Sequence, residues 1–173
     1  MAAPLVLSAQ DAGAHISACS RYRYRLWRAW GPGPSQAFVM LNPSTADATK
    51  DDPTIRKCIG FAKRAGFDGI EVVNLFAWRA TDPRDLKAAL FAGEDIVGPE
   101  NDAVTRELAC RATMVVAAWG VHPSGRTARE RVAFVRTLLR AYADGKLAHL
   151  GLTKGGHPRH PLMTGYRGLE RWT

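Results

Sequence analysis

Phe38-Val39-Met40-Leu41-Asn42-Pro43-Ser44-Thr45-Ala46-Asp47 is the stretch on which the fold turns. Phe38 to Leu41 are apolar and read as a short buried strand. Asn42-Pro43-Ser44 ends it, because proline has no N–H to give to a sheet ladder. Asp52-Pro53 follows, the cap-then-proline opening of a helix. A strand that feeds a polar loop and then a helix puts that loop at the carboxyl edge of a sheet, where open α/β folds bind ligands. The Asn42 loop is therefore expected to form one wall of a site.

Ile55, Cys58, Ile59 and Ala62 recur at helical spacing after Pro53, and Gly66 supplies a stop. Gly69-Ile70-Glu71-Val72-Val73-Asn74-Leu75-Phe76-Ala77-Trp78 then reads as a second buried strand, completing a β-α-β unit with parallel strands. Toward the N-terminus, Tyr22, Tyr24 and Leu26 alternate with Arg21, Arg23 and Arg25, the pattern of a half-buried strand. Gly31-Pro32-Gly33-Pro34 is a turn, so this strand is expected to pair with Phe38–Leu41 as a hairpin. Its arginine face suits either phosphate contact or a solvated edge that discourages aggregation. Residues 1–18 carry little signal.

Downstream, Asp82-Pro83 opens a short helix to about Leu90. Gly98-Pro99 leads into a helical pattern marked by Val104, Leu108 and Ala109. Thr113 to Gly120 reads as a third strand, Arg126 to Tyr142 as an amphipathic helix, and Leu147 to Leu152 as a fourth strand. The tail from Thr153 reads as loop with a final helical turn. The expected fold is one α/β domain over residues 1–173. It is a three-layer αβα sandwich around a central, mostly parallel four-stranded sheet, with an N-terminal β-hairpin extension.

The chain has 173 residues, enough for one sizeable core. It carries 24 Lys and Arg against 16 Asp and Glu, a formal net charge of +8. Such an excess attracts polyanions, nucleic acid above all, although a basic protein with no such partner fits the charge equally well. Cys19, Cys58 and Cys110 lie far apart, which argues against a structural zinc site or an iron–sulfur cluster, and Cys58 and Cys110 read as small core residues. No apolar run reaches the length of a membrane span, and Met1 to Ser8 lack the features of a secretion signal, so a cytoplasmic protein is expected. Phosphate-loop, dinucleotide, zincin and nucleophile-elbow motifs are absent, and no cofactor or metal is expected.

Each strand end offers polar residues to the same edge. Asn42 comes with Pro43, Ser44 and Asp47; Asn74 with Phe76, Trp78 and Arg79; Trp119 with His122; and Lys154 with His157, Arg159 and His160. Asn74, inside an apolar strand, needs partners for its amide. It can pair with two atoms on the edge of a nucleobase or bond to neighbouring backbone. Phe76 and Trp78 offer a face on which a base can stack, or fill the core. A histidine at 157 or 160 can stabilise an anion developing on a departing base, and Arg159 can anchor a phosphate. Asp52 caps the helix; Asp47 is a solvated acid or a holder of water or a cation.

Two resemblances follow from these phrases. Met40 to Asp47, Asp52-Pro53-Thr54-Ile55-Arg56, Val73 to Ala77, Arg79-Ala80-Thr81-Asp82-Pro83 and Arg159-His160-Pro161-Leu162 resemble the recurring phrases of a bacterial and phage domain-of-unknown-function family, DUF1643. That likeness runs from about Arg21 onward and implies no activity. The order of motifs is also similar to that of the uracil-DNA glycosylase superfamily. There, an Asn-Pro or Asp-Pro loop holds the hydrolytic water, as Asn42-Pro43 would. A strand-end asparagine reads the base in some members, as Asn74 would. A strand closes on Trp-Gly, and a last His-Pro-Ser-Pro-Leu motif is matched by His157-Pro158-Arg159-His160-Pro161-Leu162. The match is shifted: His160 directly precedes Pro161-Leu162, while Arg159 stands where those enzymes have a small residue. The first loop lacks the aspartate of the most active members.

The resemblance implies a glycosylase-like hydrolase or base-recognition protein acting on DNA or RNA. Asn42 and His160 would be catalytic. Pro43, Ser44, Asn74, Phe76, Trp78, Arg79, His157 and Arg159 would bind substrate. A nucleoside or nucleotide enzyme using the same pocket, and a non-catalytic nucleic-acid-binding module, are the other readings. The sequence leaves the oligomeric state open.

Overall fold

A computed structural model describes residues 11–44, 46–121 and 125–172. In chain order its elements are β1 (Ala12–Ile16), β2 (Arg23–Ala29), β3 (Ser35–Met40), α1 (Pro53–Arg64), β4 (Gly69–Asn74), α2 (Pro83–Phe91), α3 (Asn101–Arg111), β5 (Val115–Ala117), α4 (Arg126–Tyr142), β6 (Leu147–His149), a 3-10 turn (Pro161–Met163) and β7 (Glu170–Arg171). The strands form one mixed sheet in the order β1-β2-β4-β3-β5-β6-β7. β3 lies between β4 and β5 and runs parallel to both, and β5 runs parallel to β6. β2 and β7 join antiparallel at either side of these, with β1 outermost beside β2.

The alternation of side chains along β3 sorts the core into two layers. Ala37 and Val39 point into a cluster that includes Leu108 of α3 and Val135, Leu138 and Leu139 of α4. Phe38 and Met40 point the other way, onto Ile55, Cys58, Phe61 and Ala62 of α1. Helices thus cover both faces of the sheet. Each large aliphatic or aromatic side chain buried this way contributes about 1.5–3 kcal/mol of transfer free energy.

The capping devices work as the sequence suggests. Asp52 accepts a hydrogen bond from the Ile55 N–H at 2.8 Å, and Asp82 one from the Arg84 N–H at 2.8 Å. Gly66, past the end of α1, has φ +79°, a conformation few side chains tolerate.

Three expectations are corrected. β2 does not pair with β3; β4 stands between them. The Gly31–Pro34 turn is held to Asp68 instead. The Trp30 N–H donates to the Asp68 carbonyl at 2.8 Å, and the Gly33 N–H to its carboxylate at 2.8 Å. The chain therefore crosses the entrance of β4 rather than folding back. β2 forms its hairpin with β1, drawn from a stretch with little sequence signal. Nor is the Arg21-Arg23-Arg25 face solvated throughout: Arg21 is exposed, but Arg23 is 2% exposed and Arg25 half-buried, and Arg28 further along the strand is 8% exposed. The loop before α1 covers Arg23 and Arg28: Arg23 Nη1 donates to the Ala46 carbonyl and Arg28 Nη2 to that of Asp47, each at 2.7 Å. Arg28 pairs with Asp51 at 2.8 Å, and Arg25 with the buried Glu71 at 2.6 Å. Finally, Cys110 lies on the exposed side of α3, whereas Cys58 is in the core.

Candidate functional site

A cavity of about 830 Å³ opens at the carboxyl ends of the parallel strands. Asn42 and Ser44 reach it from the loop after β3, Asn74 from the end of β4, Trp119 and Gly120 from beyond β5, and Arg159 and His160 from the segment after β6. Asp52, Thr54 and Ile55 come from the start of α1, and Arg23 from β2.

Asn42 is half-buried. Its Nδ2 donates to the Ala80 carbonyl at 2.9 Å and to that of Pro43 at 3.1 Å. With both N–H bonds spent, the amide retains its Oδ1 as an acceptor. Pro43 is buried and does not line the cavity; its carbonyl also receives the Ala80 N–H at 3.0 Å, which fixes the loop.

Asn74 is 2% exposed, and its Oδ1 has no hydrogen-bond partner. Backbone does not satisfy it. Its own carbonyl is instead taken by Asn101 Nδ2 at 3.0 Å, which also bonds the Leu75 carbonyl at 3.1 Å. A buried amide without a partner costs about 1–3 kcal/mol. Trp119 is 1% exposed; its indole Nε1–H also lacks a partner, and its ring lies 5.4 Å from that of Trp172.

His160 caps the 3-10 turn: its Nδ1 accepts the Leu162 N–H at 3.3 Å. That bond places the proton of the neutral ring on Nε2. Burial pushes the His160 pKa below the usual histidine value, against the opposing charge of Asp52, so the ring is neutral at pH 7. Gly120, at φ +71°, lies against it; a Cβ there would sit 3.1 Å from His160 Cβ. Arg159 is half-buried, with Nε donating to the Leu152 carbonyl at 3.1 Å.

Besides Pro43, four predicted contacts lie off the cavity wall. Phe76 is buried in the core beneath the sheet. Trp78 packs edge-on against Tyr22, ring centroids 5.8 Å apart. Arg79 donates to the Ser20 carbonyl at 3.1 Å. His157 sits in a turn with its N–H on Thr153 Oγ1 at 3.1 Å. The cause is local. The Ala77 and Trp78 N–H groups bond the carbonyls of Val97 and Ile96, which draws the chain after Leu75 away from the cavity. Asp47 is also off the wall; the Thr49 and Lys50 N–H groups bind its carboxylate and hold its pKa below the usual range. His122 lies outside the described residues.

Two wall residues were missed or read differently. The alternation alone puts Arg23 on a face suited to phosphate contact or to solvent. Asp52 caps α1 as its sequence position suggests, and it is also 9% exposed and lines the cavity. No sequence signal distinguishes Arg23 from its neighbours; the buried setting of β2 does. Among the described residues no cluster of histidine, cysteine or acidic side chains is arranged to hold a metal ion, and no helix is long and apolar enough to cross a membrane.

A family model described as a protein of unknown function, DUF1643, matches residues 23–162. No curated protein and no solved structure matches the chain.

Proposed function

We propose that this chain, which belongs to the DUF1643 family, is a nucleobase-recognising protein that hydrolyses an N-glycosidic bond on a modified or damaged base of DNA or RNA. One observation carries the reading. Asn42, Asn74 and His160 come from three separate segments yet line a single cavity, with the buried Asn74 Oδ1 unpartnered. The order of motifs, similar to that of the uracil-DNA glycosylases, supports it.

In this reading Asn74 reads the edge of the base through its amide. Asn42 Oδ1 accepts a hydrogen bond from a water placed near the sugar carbon. The carbon–nitrogen bond breaks with its electron pair leaving on the base, and the water oxygen bonds to the sugar carbon. His160 donates Nε2–H to the acceptor on which that charge develops, remaining neutral throughout. The proton lost by the attacking water is matched by the one the departing base takes up. Asn42 is a poor base, so its part is positioning.

A second reading is favoured by the location of Phe76 and Trp78 off the cavity wall. Without that stacking platform the pocket also suits a free nucleoside or nucleotide. The test is incubation with oligonucleotides carrying a panel of modified bases, and with the corresponding nucleosides, followed by mass spectrometry for free base. Release of base that disappears in Asn42→Ala and His160→Ala supports hydrolysis. Binding without release in the wild type reduces the protein to a binder.

A further inference from the structure

Arg23 and Asp52 carry opposite charges, are 2% and 9% exposed, and line the same cavity. Among the described residues neither makes an ion pair. Each is anchored to backbone instead. Arg23 Nη1 donates to the Ala46 carbonyl at 2.7 Å, and Asp52 Oδ1 accepts the Ile55 N–H at 2.8 Å. Arg23 Nε has no partner. Burial lowers the Arg23 pKa to about 10, so the guanidinium is still charged at neutral pH.

Buried opposite charges normally join, because each uncompensated charge is costly. Here separate backbone anchors hold the guanidinium and the carboxylate on one cavity wall without an ion pair, although the Asp52 charge still works against the lowering of the Arg23 pKa by burial. A phosphate or carboxylate would meet Arg23 favourably and Asp52 unfavourably, and would leave the carboxylate and the Asn74 Oδ1 without donors. A cation would reverse the problem. A neutral group with an acceptor for Arg23 and a donor for Asp52 satisfies both. Arg159, also on the wall, is half-exposed, and solvent screens it more than the interior pair.

We infer that the cavity admits an uncharged head group bearing a hydrogen-bond acceptor for Arg23 and a donor for Asp52, and excludes anionic ones. This deepens the nucleobase reading and rests on it. In a nucleotide or strand, the phosphates stay outside and the neutral ring enters.

The test measures shifts in the melting temperature of the full chain. The probes are the common nucleosides, succinimide as a neutral cyclic imide that is not a base, inorganic phosphate and acetate. Wild type is compared with Asp52→Asn; asparagine caps helices as well as aspartate does, so only the charge is removed. Arg159→Ala is run alongside to remove anion binding at that side chain. The expected result is saturable binding of at least one neutral probe to wild type and none of phosphate or acetate. Asp52→Asn then weakens the neutral probe about tenfold or more and gains anion binding.

Anions bound by wild type and by Arg159→Ala as tightly as the best neutral probe would overturn the inference. So would an Asp52→Asn variant with unchanged preferences, or a wild type that binds no neutral probe. Nucleosides and anions binding alike would leave the nucleobase reading standing and sink this one. Succinimide binding without any nucleoside would do the reverse. Should Asp52→Asn not fold, the wild-type and Arg159→Ala arms decide.

Discussion

Two buried asparagines separate structure from site. Both have an Oδ1 without a partner, but Asn101 Nδ2 holds two carbonyls at the end of β4, whereas Asn74 lines the cavity. Asn101→Ala is therefore expected to cost about 1–3 kcal/mol by leaving buried carbonyls unsatisfied. Asn74→Ala is expected to leave stability within about 1 kcal/mol of wild type, because it removes an unsatisfied polar group, and to abolish ligand binding. Urea denaturation of both variants checks the contrast; equal losses would make Asn74 an ordinary core residue.

His160 makes stability depend on pH. Its folded pKa is depressed, so the unfolded chain takes up a proton first as pH falls. Stability contributed by the neutral ring is complete above the ordinary value near 6.5, declines below it, and levels off past the folded value. Melting temperatures between about pH 7.5 and 5 are expected to fall less steeply in His160→Gln than in wild type. Ligand binding that uses Nε2–H should persist below pH 6.5, where an exposed histidine would already be charged.

What could be read at this scale depended on whether a residue announces itself through local backbone chemistry. Asn42, Asn74 and His160 stand out because each interrupts an apolar or proline-marked phrase. Arg23 does not. It alternates with tyrosines as a solvent-facing residue would, and only the loop before α1, whose Ala46 carbonyl takes its Nη1, covers it.

At the scale of elements, Glu71 links three pieces of the fold. It is 5% exposed on β4, pairs with Arg25 of β2 at 2.6 Å, and receives both terminal nitrogens of Arg111 from α3. Removing one partner of a buried ion network leaves charges stranded, so Glu71→Gln is expected to cost about 3–5 kcal/mol. Gly69, which follows Asp68 and pairs with Ala29 of β2 and Ser35 of β3, is a second such point. A Cβ there would come within 2.8 Å of the Arg28 carbonyl, a backbone atom that cannot swing aside. Gly69→Ala should destabilise by about 1–3 kcal/mol, read from the denaturation midpoint.

The helices were legible because Asp52-Pro53 and Asp82-Pro83 carry their own start signals, and Arg126–Tyr142 a clean apolar stripe. The hairpin partner of β2 was not. A Gly-Pro turn says that the chain bends, and the hydrogen bonds to Asp68 decide where it goes next. β7, with two residues, is too short for any periodicity to show.

For the molecule as a whole, the excess of eight positive charges bears on the choice between a strand and a free nucleoside. A polynucleotide partner releases counterions on binding, so its affinity should fall steeply as salt rises from about 50 to 200 mM. Nucleoside affinity should scarcely change over the same range. Titrations at several salt concentrations separate the two, and salt-independent oligonucleotide binding would count against a polyanionic partner.

β7 meets β6 through Ala148–Arg171 and His149–Glu170, and the Trp172 N–H reaches the Leu147 carbonyl at 3.0 Å. Those few residues act as a hem. A chain cut after Leu169 would leave a frayed margin of unsatisfied amides and carbonyls, a template on which another molecule's strand can dock. Such a shortened chain should grow larger particles with time and concentration, visible in light scattering, even if its cavity keeps its shape.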